Sequence, residues 1–289
     1  MELATAVVDP HLGWNLLDDV RQLFDFPFMV NAFRAGTLVA VTAGLIGWFM
    51  ILRKQTFAGH TLALIGFPGA AGAVLIGVSA QLGFFAFCAA GALVIGLVPA
   101  RPGGFSEQPA VIGTVQAFAL ASGFLFVSLY GGNLNGVNAL LFGGLLGVTD
   151  GDVALVAAIA VVAVGTMCLI GRPLLFATID PDVANTRGVP VRGLSLVYLV
   201  LIGLTAAACT QITGALLVLA LLVLPAATAQ TLTLRPAAGL LLSVGGAVVV
   251  TWLALAASYY LPYPVGFWLT SIAFAVYLVS RAGVRVRAR

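Results

Sequence analysis

Charge is scarce in this chain. Of 289 residues, 13 are Lys or Arg and 10 are Asp or Glu, so that only 8% carry a charge, against about a quarter in an average soluble domain. So few ionised groups cannot coat a soluble core of this size, and with 61% of residues hydrophobic most of the surface must face lipid. Cysteine is also rare: Cys88, Cys168 and Cys209 lie inside apolar runs, and an odd number of thiols in that setting describes small hydrophobes and argues against a disulfide framework. Histidine occurs twice, at His11 and His60, and lysine once, at Lys54. The Gly-x-x-x-x-Gly-Lys-Ser/Thr phosphate loop does not occur, so nothing suggests that the chain hydrolyses ATP itself. One embedded histidine without an embedded Asp or Glu cannot build the usual sets of an intramembrane enzyme. A net charge of +3 is too small for a nucleic-acid surface.

What the sequence does have is long apolar runs. Runs of about 20 residues match a hydrocarbon core of about 30 Å, and the alternation of a closed barrel is absent. The reading is an all-α polytopic membrane bundle of about nine spans, near 31–52, 56–78, 80–100, 109–130, 153–171, 193–210, 214–230, 237–260 and 265–280. Eight is the alternative, because 214–230 is short and contains Pro225; that stretch and the apolar run 138–148 are candidates for half-helices or re-entrant segments.

The basic residues test the count, since short cytoplasmic loops collect Arg and Lys. With nine spans and the N-terminus outside, the inner ends hold Arg53, Lys54, Arg101, Arg172, Arg187, Arg192, Arg235, Arg281, Arg285, Arg287 and Arg289, and only Arg21 and Arg34 fall outside. The expected location is the cell membrane, multi-pass, with the C-terminus in the cytoplasm. The whole chain, 1–289, reads as one transmembrane domain. Residues 1–28 form an external segment in which Leu12, Leu16, Leu17, Val20, Leu23 and Phe24 recur at helical spacing, as in a helix lying on the membrane surface.

One inner connection has punctuation. Within residues 172–192, Asp180 can cap a helix, Pro181 suits its first position, Asp182 complements its positive end, Arg187 suits its last turn, and Gly188 followed by Pro190 ends it. The expectation is a short helix held at the cytoplasmic face, marginal alone and in need of something to pack on.

Arg172-Pro-Leu-Leu, Asp180-Pro-Asp and Arg187-Gly-Val-Pro-Val191 together resemble the cytoplasmic coupling segment of the ABC permease family that imports zinc and manganese. Phe49-Met-Ile-Leu-Arg-Lys54 with Gly59 and Phe67-Pro-Gly69, Leu140-Leu-Phe-Gly-Gly-Leu-Leu-Gly147, and Ala215 to Ala229 around Pro225 are similar to further segments of that family, in order and at compatible spacing over about residues 30–280. The resemblance implies a homodimeric permease with a substrate path along the two-fold axis, driven by separate cytoplasmic ATPase subunits and supplied by an external metal-binding receptor. It implies no permanent cofactor and a divalent transition metal, zinc or manganese, as cargo. A related permease for a metal chelate or other small cargo is the alternative. Asp180, Pro181, Asp182, Arg187 and Gly188 would form the contact with the ATPase.

Candidate path residues are His60, Thr61, Gln116, Gln211 and Pro225. His60, early in the second span, is a plausible ligand for a borderline-soft metal ion. The family resembled places an acid at this position and a histidine one turn later, where this chain has Leu64. Thr61 and Gln116 are equally suited to join helices by hydrogen bonds. Gln211 sits beside the Gly214 break, and Pro225 can kink the span around a cavity.

Overall fold

The computed structural model describes residues 21–98, 107–130, 148–214, 218–261 and 263–287. Ten helices of six residues or more occur among them: α1 Pro27–Leu52, α2 Thr56–Leu75, α3 Ala80–Leu97, α4 Glu107–Leu129, α5 Asp150–Ile179, α6 Pro181–Thr186, α7 Val191–Thr213, α8 Val218–Leu232, α9 Pro236–Tyr260 and α10 Val265–Arg287. Eight of these are long and apolar enough to cross a membrane; α8, with 15 residues, is the shorter apolar helix. The surface helix expected around residues 12–24 lies outside the described residues except for its last turn, the expected segment 138–148 lies outside them except for Val148, and residues 215–217 of the expected span 214–230 lie outside them as well.

Contacts near the helix ends fix the direction of each element. Arg53, just after α1, bonds Thr178 near the end of α5 and Ser195 near the start of α7. At this same basic end, Gln230 of α8 donates to the Trp48 carbonyl, Thr231 meets Ser280 of α10, and the Trp48 ring borders Gly239 of α9. At the opposite end, Phe26 before α1 packs on Tyr259 of α9, and Gln81 of α3 donates to Asp152 of α5. α7 therefore leaves the basic end and α8 returns to it. The described chain starts at one end of the bundle and finishes at the other; among the described residues the eight membrane-length helices and the shorter α8 together run an odd number of times between the two ends.

The spans differ in how they use their apolar surface. α1 is buried around most of its circumference and packs on α5, α7, α8 and α9, as expected of a helix hydrophobic on all sides. α2 is enclosed by α1, α3, α4, α7 and α8 and is buried along most of its length, whereas most of α4 is open. The enclosure depends on small residues: Gly69 of α2 and Gly83 of α3 face each other so closely that a Cβ on either would overlap the carbonyl of the other. In lipid, where apolar burial between helices gains little over contact with acyl chains, such close approach is what holds helices together.

Two boundaries, the C-terminal ends of α5 and α10, differ from the sequence expectation by more than the few-residue shifts seen at the other helix ends. Residues 172–179, expected as the start of a loop, are the last turns of α5, which continues through Pro173 because Leu174 and Ala177 are buried and Thr178 bonds back to the Leu174 carbonyl. Likewise α10 extends past residue 280 to Arg287.

Candidate functional site

α2 is closed except along one stripe. After the open first residue Thr56, the positions left open in the first three turns are Phe57, His60, Leu64 and Phe67, spaced by three, four and three residues, while Ala58, Gly59, Thr61, Leu62, Ala63, Ile65 and Gly66 between them are buried. That spacing places all four side chains on one helical face. α4 flanks the stripe, with the Phe67 and Phe124 rings 6.2 Å apart between centroids. His60 thus lies on the one accessible face of an otherwise enclosed helix, with Leu64 one turn further along.

The two polar path candidates beside it are used on each other. The Thr61 hydroxyl donates to Oε1 of Gln116 at 2.8 Å, tying α2 to α4. Pro225 is buried in α8, and Gly246 of α9 faces it. Gln211 belongs to α7 just before Gly214, whose φ is +75°; its side chain lies outside the described residues. Among the described residues no group of three or more His, Cys, Asp or Glu side chains is arranged to hold a metal ion.

At the basic end, α6 is built as its sequence dictates. The Asp180 carboxylate accepts the Val183 N–H at 3.0 Å, Pro181 occupies the first turn, and Asp182 lies at the positive end of the helix. Gly188, at φ +79°, closes it: the Gly188 N–H bonds the Asn185 carbonyl and the Val189 N–H bonds the Ala184 carbonyl, the two bonds of a Schellman motif. Of its six residues only Ala184 is buried; Pro181, Asp182, Val183, Asn185 and Thr186 are exposed, as are Arg187 and Gly188 after it.

The same motif closes α1, with a difference. The Lys54 N–H bonds the Ile51 carbonyl, the Gln55 N–H bonds the Met50 carbonyl, and Lys54 sits at φ +56° where glycine is usual. This fixed turn holds Arg53 inward. Its guanidinium donates from one terminal nitrogen to Thr178 Oγ1 at 2.9 Å and from the other to Ser195 Oγ at 2.7 Å, and lies 5.6 Å from the centre of the Tyr198 ring. Tyr198 in turn donates its hydroxyl to the Ile46 carbonyl at 2.6 Å. Burial pushes the Arg53 guanidinium below the usual arginine value, and its Nε is buried without a hydrogen-bond partner. Sequence reading counted Arg53 among the inner basic residues and missed this arrangement; Thr178 and Ser195 lie 125 and 142 positions away, and no local pattern marks them.

Comparison with known proteins agrees with this architecture. The chain is 31% identical over 227 residues to the manganese transport system membrane protein MntC of Halalkalibacterium halodurans, covering 76% of this chain and 75% of that one. It is 29% identical to the chelated iron transport system membrane protein YfeC of Yersinia pestis, over 91% of this chain and 88% of the relative. In fold it is similar to PsaBC from Streptococcus pneumoniae in complex with Fab, with a TM-score of 0.81 at 23% identity, covering 94% of this chain and 99% of that chain. A family model described as the ABC 3 transport family matches residues 25–283. With eight membrane-length helices and a match that spans nearly the whole sequence, this chain belongs to the ABC 3 transport family.

Proposed function

We propose that this chain is the membrane permease of an ATP-driven importer, that two copies form the translocation path, and that the cargo is a divalent transition metal. The observation that carries the reading is α6: a helix capped at both ends, projecting at the basic end with only Ala184 buried. A helix this short is marginal in water, and its exposed face suits insertion into a groove of a separate ATPase subunit. Relatives named for manganese and chelated-iron transport support the cargo class. The concentration of arginine at the α6 end supports its assignment to the cytoplasm, with the N-terminus outside.

In this reading the path follows the open stripe of α2, where His60 offers a nitrogen ligand and Leu64 offers none. Weak coordination suits a permeation path, which must release what it binds, and tight selection then belongs to an external receptor. The permease itself performs no chemistry; nucleotide hydrolysis in the ATPase subunits moves its spans as rigid bodies. Manganese and zinc are the leading cargoes. A metal chelate is the second reading, favoured by Leu64 and by the relative named for chelated iron.

The test is ATPase activity of the complete reconstituted complex across several divalent ions, with and without the receptor. Stimulation by receptor loaded with manganese or zinc supports the direct-ion reading. Stimulation by a chelate alone moves the assignment to the second, and hydrolysis indifferent to every cargo removes the transport reading.

A further inference from the structure

We infer that Arg53 is the positioning residue that locks both sides of the α6 neck to the end of α1, so that movement of α6 is passed to α1 at this point as well as through the packing of α5 and α7 on α1. This rests on the proposed role of α6 as the contact with an ATPase. Thr178 lies two residues before the α6 cap Asp180, and Ser195 lies in the first turns of α7, so the two Arg53 bonds grip the α6 excursion at both sides of its neck. The other partner of the guanidinium is the Tyr198 ring, and Tyr198 is itself bonded to the Ile46 carbonyl of α1. α6 buries only Ala184 of its own residues, so its packing on α5 and α7 provides little independent hold. A forked, planar cation can join two hydroxyls at fixed angles, which a lysine ammonium cannot reproduce. The left-handed turn at Lys54 fixes the backbone from which Arg53 projects.

The experiment uses the complete complex in lipid vesicles, with Arg53→Ala, Arg53→Lys and the double variant Thr178→Val/Ser195→Ala. Two quantities are read: cargo transported per ATP hydrolysed, and the distance distribution between spin labels at Asn185 on α6 and Leu234 in the α8–α9 turn, both exposed. In Arg53→Ala, transport per ATP falls about tenfold, as expected when charge-assisted hydrogen bonds are removed, and the label distribution broadens. Arg53→Lys recovers part of both. The double variant matches Arg53→Ala, and combining all three changes adds nothing further. A label distribution as narrow in Arg53→Ala as in the unaltered protein overturns the inference. So does an unaltered transport-to-ATP ratio, or an equal fall in hydrolysis and transport with no broadening, which is simple loss of complex. The label measurement needs no cargo. If the unaltered complex does not transport metal while Arg53→Ala still loosens α6, the proposed function fails and the brace stands.

Discussion

The Thr61 hydroxyl on α2 hydrogen-bonds Oε1 of Gln116 on α4, 2.8 Å away. Each residue taken singly reads as a polar group that a permeating ion could meet. Together they share one hydrogen bond across a helix pair, and that bond takes the single donor of Thr61. The prediction is a double-mutant cycle in detergent. Thr61→Val and Gln116→Leu each lower the melting temperature, and together they cost less than the sum. The coupling is about 0.6 kcal/mol and at most about 1.7, the range of side-chain hydrogen bonds between membrane helices. Strict additivity shows that the bond contributes nothing.

The two Schellman turns that bracket the basic end differ in one residue. Lys54 holds φ +56° with a side chain, whereas Gly188 holds φ +79° without one. A left-handed backbone costs an L-residue roughly 1–2 kcal/mol, of which glycine gives part back in unfolded-state entropy. Lys54→Gly therefore stabilises the protein by about 0.5–1 kcal/mol, read as a higher melting temperature. Gly188→Ala does the opposite, and does so locally: amide hydrogen exchange accelerates across residues 182–189 while the spans are unaffected. A slower exchange in that segment after Gly188→Ala contradicts the cap.

The stripe of α2 predicts an effect of added ligands. His60→Ala lowers metal uptake more than Gln116→Ala, because His60 is on the accessible face and Gln116 is engaged by Thr61. Leu64→His creates two imidazoles at i and i+4 on that face. Bound metal then stabilises the protein by about 2.7 kcal/mol at one hundred times its dissociation constant, seen as a metal-dependent rise in melting temperature absent from the unaltered protein. Equal, near-normal uptake by the two alanine variants removes His60 from the path.

Asp180 fastens the first turn of α6. Asp180→Ala loses a cap worth about 1 kcal/mol and leaves the Val183 N–H without its acceptor. Since α6 contributes one buried residue to the fold, the predicted outcome is near-normal insertion and expression with impaired coupling, checked by the ratio of transport to ATP hydrolysis.

Much of this was legible in the sequence because the relevant signals are local. Apolar run lengths reveal the spans, and Asp180, Pro181 and Gly188 announce both ends of α6 within nine residues. The expected span ends at residue 171, directly before Arg172 and Pro173. The burial of Leu174 and Ala177 against neighbouring spans overrides that local cue and carries α5 on to Ile179. What was illegible is long-range. Nothing near Arg53 in sequence predicts Thr178 or Ser195 as its partners, and nothing near Thr61 predicts Gln116. Such pairings exist only once the helices are packed, so periodicity and spacing cannot expose them.

The account centres on a permease whose α6 receives the work of a separate ATPase. The most direct measurement is ATP-driven manganese uptake into vesicles holding the complete complex, comparing the unaltered chain with the pair of variants Asp180→Ala and Gly188→Ala. The account predicts nucleotide-dependent accumulation by the unaltered complex and, in the variants, continued ATP hydrolysis with little accumulation. Accumulation that proceeds without the ATPase subunit, or that is indifferent to both changes in α6, contradicts it.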